Sequence, residues 1–97
     1  MRTMMTVTIP VEAGNQATQT NRMGPIIERA VELMKPEAVY FTTANGQRQG
    51  IFVFDLADQS DIPAIAEPIF QELKADISLS PVMNMDDLAA GLAKWTT

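Results

Sequence analysis

The sequence predicts an α+β domain in which a four-stranded antiparallel sheet carries its helices on one face. Alternating apolar and polar runs flank Asn45-Gly46, whose two residues suit the positive φ angles of a type I′ hairpin turn. One apolar stripe at the helical period precedes this hairpin and another follows it, and a further alternating run lies near each end of the chain. Ninety-seven residues are enough for one core, so we expect a single domain over residues 1–97.

The elements before the hairpin each have a local signal. The first strand alternates Met5, Val7 and Ile9 on one face with Met4, Thr6 and Thr8 on the other. A short turn or helix follows, and the Gly24-Pro25 pair then suits a helix start, because proline at the first position loses only an N–H without a partner. We expect strands near residues 3–9, 37–44, 48–55 and 76–82, and helices near residues 25–35, 61–74 and 85–94, each to within about three residues.

The elements after the hairpin follow from caps and spacing. Ser60 or Asp61 is expected to cap the second long helix, which Pro68 interrupts. A fourth strand alternates isoleucine and leucine with serines, and Asn84 is expected to cap the last helix. The apolar stripe of this last helix, which we expect to pack on the core, comprises Leu88, Leu92 and Trp95.

A two-residue hairpin loop fixes the register, and the register sorts the two faces of the sheet. Phe41 then lies opposite Gly50 and covers its bare backbone. One face carries Val39, Phe41, Phe52 and Phe54, and the other carries Tyr40, Thr42, Gln49, Ile51 and Val53. Because the helices of a two-layer domain cover only one face, the second face must meet water, a ligand or another chain.

The predicted order is the split βαβ arrangement, βαββαβ, of the ferredoxin-like fold, followed by a C-terminal helix. The whole chain also resembles a group of short uncharacterised bacterial proteins in the segments Glu12-Ala13-Gly14-Asn15, Lys35-Pro36-Glu37-Ala38, Tyr40-Phe41 and Ile62-Pro63-Ala64-Ile65-Ala66-Glu67-Pro68. This resemblance covers most of the chain and implies the fold without an activity. The layout is similar to that of the dimeric α+β barrels, in which two ferredoxin-like subunits press their open sheet faces together.

Composition excludes several classes of function. The chain has no cysteine and no histidine, so thiol chemistry is absent, the usual general base is missing, and we expect no metal and no cofactor. The net charge is −5 and no cluster of Lys and Arg forms a phosphate-binding patch, so we expect no nucleic-acid partner. No apolar run approaches about 18 residues and no cleavable signal pattern opens the chain, so we expect a cytoplasmic protein without membrane contact.

The candidate site lies on the second face of the sheet. Its polar members, which would line a ligand pocket, are Tyr40, Thr6, Thr8, Thr42, Gln49, Ser78 and Ser80. Its apolar members, which predict a homodimer interface, are Met4, Ile51 and Val53. Arg48 is expected to be solvated near the turn, and the acidic residues Asp55, Asp58 and Asp61 are expected to form a capped loop rather than a calcium site.

Two functions from different classes remain. We expect a non-catalytic homodimeric interaction or regulatory module, because without His or Cys no catalytic residue has a partner in the sequence. The alternative is a cofactor-free enzyme of the dimeric α+β barrel type, monooxygenase- or isomerase-like, or a carrier of a small apolar or aromatic molecule. A deep cavity that is closed to bulk water and touches Tyr40 would favour this alternative.

Overall fold

The computed structural model describes residues 1–96, which form four antiparallel strands and four helices. The strands are β1 (Arg2–Ile9), β2 (Ala38–Ala44), β3 (Gln47–Asp55) and β4 (Asp76–Pro81). The helices are α1 (Val11–Gln19), α2 (Met23–Met34), α3 (Ile62–Leu73) and α4 (Met85–Thr96). Every predicted strand and helix is present within three residues of its expected bounds. In the described chain no helix is both long and apolar enough to cross a membrane.

The strands form one sheet in the order β2-β3-β1-β4, with every neighbouring pair antiparallel. This sheet is compatible with a ferredoxin-like layout. The order of elements departs from a strict βαββαβ pattern, because α1 and α2 both lie between β1 and β2 and because α4 follows β4.

The β2–β3 hairpin has the predicted turn and the predicted register. Asn45 has a φ of 53° and Gly46 a φ of 77°, the two left-handed positions of a type I′ turn. Phe41 pairs with Gly50, and a Cβ built on Gly50 would lie 3.4 Å from the Phe41 ring. The Phe41 and Phe52 rings meet edge to face with centroids 6.0 Å apart. The absence of a side chain at Gly50 therefore provides the space in which the rings of Phe41 and Phe52 meet.

The core lies on the face of the sheet that α1, α2 and α3 cover. Phe54, Met5 and Leu73 are its largest fully buried side chains, and they come from two central strands and α3. The other buried members of this cluster are Val7, Ile9, Ala17, Ala30, Met34, Phe52, Ile65, Ile69 and Ala75. Of the predicted inner face of the hairpin, Phe52 and Phe54 are buried and Val39 packs partly buried against them, whereas Phe41 on the edge strand is 59% exposed.

The prediction that α4 packs on the core is wrong. No residue of α4 is buried, and the Trp95 side chain is 83% exposed. The spacing of Leu88, Leu92 and Trp95 correctly predicts an amphipathic helix, but spacing alone cannot identify the surface that covers it. Helices α1, α2 and α3 already supply the helical members of the core cluster. The apolar stripe of α4 therefore faces solvent in the single chain.

A contact between residues distant in sequence corrects the expectation for Arg48. Arg48 is not simply solvated: its side chain lies across Gly14, where a Cβ would come within 3.2 Å of the Arg48 Cζ. Its Nη2 donates a hydrogen bond to the Asn15 Oδ1 at 3.1 Å. Arg48 thus ties β3 to α1, and Gly14 provides the space for this contact.

Asp61 occupies the N-cap position of α3, as predicted, but its side chain makes no capping hydrogen bond, and the side-chain cap in this loop is made by Asp58 instead. The Asp58 Oδ1 accepts a hydrogen bond from the Ser60 backbone N–H at 2.8 Å, at the start of a 3₁₀ turn over Gln59–Asp61. This bond to the ionised carboxylate lowers the pKa of Asp58 below its ordinary value. The result agrees with the predicted capped loop, although Asp58 supplies the side-chain hydrogen bond.

Candidate functional site

The face of the sheet opposite the core is here called the open face, and it is built from three rows of paired residues. The first row is Ala38, Val53, Met4 and Ser80. The second row is Tyr40, Ile51, Thr6 and Ser78. The third row is Thr42, Gln49, Thr8 and Asp76. Side chains alternate between faces along a strand, so the structure brings all ten residues of the sequence-predicted site to this one face.

The open face changes from apolar at one end to polar at the other. Val53 and Met4 occupy the centre of the first row, whereas in the third row the Gln49 Nε2 donates to the Thr8 Oγ1 at 3.1 Å. Met4, Ile51 and Val53 are half-buried, because neighbouring side chains in the sheet partly shield them. Tyr40, on the edge strand β2, is 67% exposed. The open face is thus only partly shielded from solvent by its own side chains.

Arg2 connects the apolar end of the open face to α4. It lies on the same face as Met4, one pair further along β1. The Arg2 Nε contacts the Glu37 Oε1 at 2.6 Å, and the Arg2 Nη1 lies 3.8 Å from the Asp87 Oδ2. The hydrogen bond to Glu37 raises the pKa of Arg2 above its ordinary value. Exposed ion pairs of this kind add little stability. The contact between Arg2 and Asp87 nevertheless shows that the first turn of α4 lies beside the open face.

Helix α4 begins with a reciprocal cap. The Asp87 backbone N–H donates to the Asn84 Oδ1 at 2.8 Å, and the Asn84 backbone N–H donates to the Asp87 Oδ2 at 3.1 Å. This arrangement satisfies two N–H groups at the helix start, as in a capping box. It confirms the prediction that Asn84 caps the helix. Asp87 therefore has two functions, because it also faces Arg2.

The three rows of the open face carry few charged groups. Its polar groups are hydroxyls and amides, with Asp76 as the only charged residue of the three rows. Within residues 1–96, His, Cys, Asp and Glu side chains form no cluster suited to a metal ion. A small apolar cavity between Phe41 and the helices has a volume of about 30 Å³, which is enough for about one water molecule. That cavity is too small for an aromatic ligand.

The main structural feature that the sequence did not predict is the exposure of α4. Its stripe was expected in the core, and it is instead an apolar surface without cover in the single chain. A comparison with models of known protein families finds no match for the chain, and a comparison with curated proteins finds none either. The open face and α4 are therefore the basis on which a function is inferred.

Proposed function

We propose that this protein is a non-catalytic homodimeric interaction or regulatory module of ferredoxin-like layout, and that its contact surface is the open face. The observation that supports this proposal is the position of Met4, Ile51 and Val53 in the two central strands of a face that the helices leave uncovered. Apolar side chains bordered by hydroxyl-bearing residues are typical of a protein interface, in which an apolar core meets a polar rim.

The charge of the protein also favours association through this face. Each chain carries a net charge of −5, so the net charges of two copies repel one another as the copies approach. The three rows of the open face contain only one charged residue, Asp76, at the β4 edge. Contact through this face would bury apolar groups and bring few like charges together. A two-fold axis would apply each contact twice.

The experiment is sedimentation velocity on the wild type and two variants that each add one lysine. Ile51→Lys places a charge at the centre of the open face, while Gln71→Lys places the same charge on an exposed position of α3. We expect the wild type to be a dimer at a protein concentration of about 100 μM. Measurements up to this concentration detect a dimer whose dissociation constant is in the micromolar range. Ile51→Lys should be monomeric and Gln71→Lys dimeric, because only the first variant buries an unpaired charge on association.

Two results would contradict this proposal. A monomeric wild type would exclude the homodimer, and a stable Ile51→Lys dimer would place the contact on another surface. Far-UV circular dichroism of each variant shows whether it is folded, so that loss of the dimer is not confused with loss of the fold.

A second candidate function is a carrier or cofactor-free enzyme for a small aromatic molecule. The observation that favours it is the second row, where the hydroxyls of Tyr40, Thr6 and Ser78 lie in line with Ile51. Titration of a ¹⁵N-labelled sample with simple phenols, followed by NMR, tests this function. Chemical-shift changes that are confined to residues of the open face, and that become smaller in the Tyr40→Phe variant, would support a ligand site. A spectrum that does not change on addition of phenols would reject this second function for phenolic ligands.

A further inference from the structure

Helix α4 extends away from the body of the protein. The radius of gyration is 15.4 Å, whereas a compact chain of this length has about 12.5 Å. The longest dimension is 55 Å against 28 Å and 18 Å for the other two. All residues of α4 are exposed, including Leu92 at 54% and Trp95 at 83%. The helix is therefore an arm whose side chains the rest of the chain does not cover.

The sequence of this arm is suited to a contact. Met85, Leu88, Leu92 and Trp95 recur at spacings of three and four, so they form one stripe along the helix. Asp86, Asp87, Ala90 and Lys94 occupy the opposite side. An isolated helix of 12 residues is marginal in water, and Gly91 weakens this one by about 1 kcal/mol relative to alanine. A covering surface would stabilise α4.

The amount of exposed surface matches what a dimer interface requires. The chain exposes 6611 Å², about 1,100 Å² more than the roughly 5,500 Å² expected for a compact monomer of this mass. A standard interface buries about 800 Å² on each partner. The surplus accessible surface of one chain is thus large enough for a specific contact with a second copy.

A second copy is the partner that both uncovered surfaces fit. One chain presents an apolar helix stripe and an open face with an apolar end, and the stripe contains no charged residue. The first turn of α4 lies beside the open face through the 3.8 Å contact between Arg2 and Asp87. Two copies related by a two-fold axis would each supply a helix to the other's face, so no third component is needed.

We propose that α4 is an exchanged arm whose Leu88, Leu92 and Trp95 stripe packs on the open face of a second copy. This inference rests on the proposed homodimer and adds that α4 is the element through which each copy contacts the other. Each open face then receives a helix as its missing layer, and the only tryptophan of the chain becomes buried on association.

The first test uses cysteine cross-linking, for which the cysteine-free chain is a clean background. A size-tagged Leu92→Cys variant is mixed with an untagged Ile51→Cys variant, the subunits are allowed to exchange, and the thiols are oxidised. We expect a disulfide-linked heterodimer of intermediate size on a non-reducing gel. Gln71→Cys replaces Ile51→Cys in the control, and because Gln71 lies on exposed α3 it should give no such species.

The second test compares two variants that add one carboxylate on opposite sides of α4. Leu92→Glu should raise the dissociation constant of the dimer more than about tenfold, because it buries an unpaired charge, whereas Ala90→Glu should leave it unchanged. The fluorescence of Trp95 provides a second reading on the wild type. We expect its emission to shift to shorter wavelength, and its quenching by acrylamide to fall, as protein concentration rises through the dimer transition.

The outcomes separate this inference from the proposed function. A heterodimeric cross-link together with a shielded Trp95 supports the exchanged arm. A dimer without that cross-link, and with Trp95 still accessible to acrylamide, would overturn the arm and leave the homodimer in place. A disulfide within single chains of the double variant Ile51→Cys/Leu92→Cys would show that α4 folds back onto its own sheet. A monomeric wild type would overturn both proposals.

Discussion

Replacing Gly46 with valine should destabilise the protein through the backbone alone. Gly46 has a φ of 77°, and a Cβ built there meets no other atom within 4 Å, so steric contact with neighbours adds nothing to the effect. The left-handed conformation costs an L-residue about 1–2 kcal/mol. With a urea m-value of about 1.5 kcal/mol per M, the unfolding midpoint should fall by about 1 M.

A matched control separates this backbone effect from the general effect of adding a side chain. Gly24 also has open space around its Cβ position, but its φ is not positive and it lies in the first turn of α2. Gly24→Ala should therefore leave the midpoint unchanged or raise the free energy of unfolding by about 0.4–1 kcal/mol. Both variants are unfolded in urea at one protein concentration, because association would shift the midpoints. An unchanged midpoint for Gly46→Val would refute the reasoning.

Three further predictions follow from the hairpin, the core and the loop before α3. Asn45→Ala should lower the free energy of unfolding by about 1 kcal/mol, because alanine tolerates a φ of 53° less well than asparagine, and urea unfolding measures the loss. Phe54→Ala should lower it by about 3–5 kcal/mol, since Phe54 is fully buried, whereas Phe70→Ala on exposed α3 should cost far less. The pKa of Asp58, followed by NMR, should lie below its ordinary value, and Ser60→Pro, which removes the backbone donor, should raise it. The pKa of Asp58 is lower in the folded protein than in the unfolded chain, so the ionised carboxylate stabilises the fold at pH values above its unfolded-state pKa. This stabilisation is lost as the pH falls through the folded-state pKa.

The fold was largely predictable because its signals are local. Asn45-Gly46 allows only a few turn types, and a two-residue turn fixes which residues of β2 and β3 face one another. Once Tyr40 pairs with Ile51, the alternation of strands assigns both to the open face. The extension of that row to Thr6 and Ser78 depends on pairing with β1 and β4, which followed from the predicted topology.

The contacts that were not predictable join residues far apart in sequence. Arg48 reaches Asn15 across 33 positions, and no pattern near either residue indicates the contact. The exposure of α4 was equally hidden, because the stripe through Leu88 and Trp95 would look the same on a helix packed in the core and on a helix that faces solvent. The partial burial of Met4 also depends on side chains from neighbouring strands. Such features follow from the assembled sheet rather than from any one segment.

The edge strand β2 helps to distinguish the ways in which two copies could meet. It runs Ala38–Ala44 without a charged residue, and it lies at the end of the strand order with Tyr40 and Phe41 exposed on opposite faces. Unprotected edges of this kind pair readily with other strands. Pairing through β2 alone would join two sheets side by side, and it would leave both open faces and both α4 stripes uncovered. Contact through the open face and α4 covers these apolar surfaces together, so a cross-link between positions 51 and 92 is the result that distinguishes this dimer from an edge-paired one.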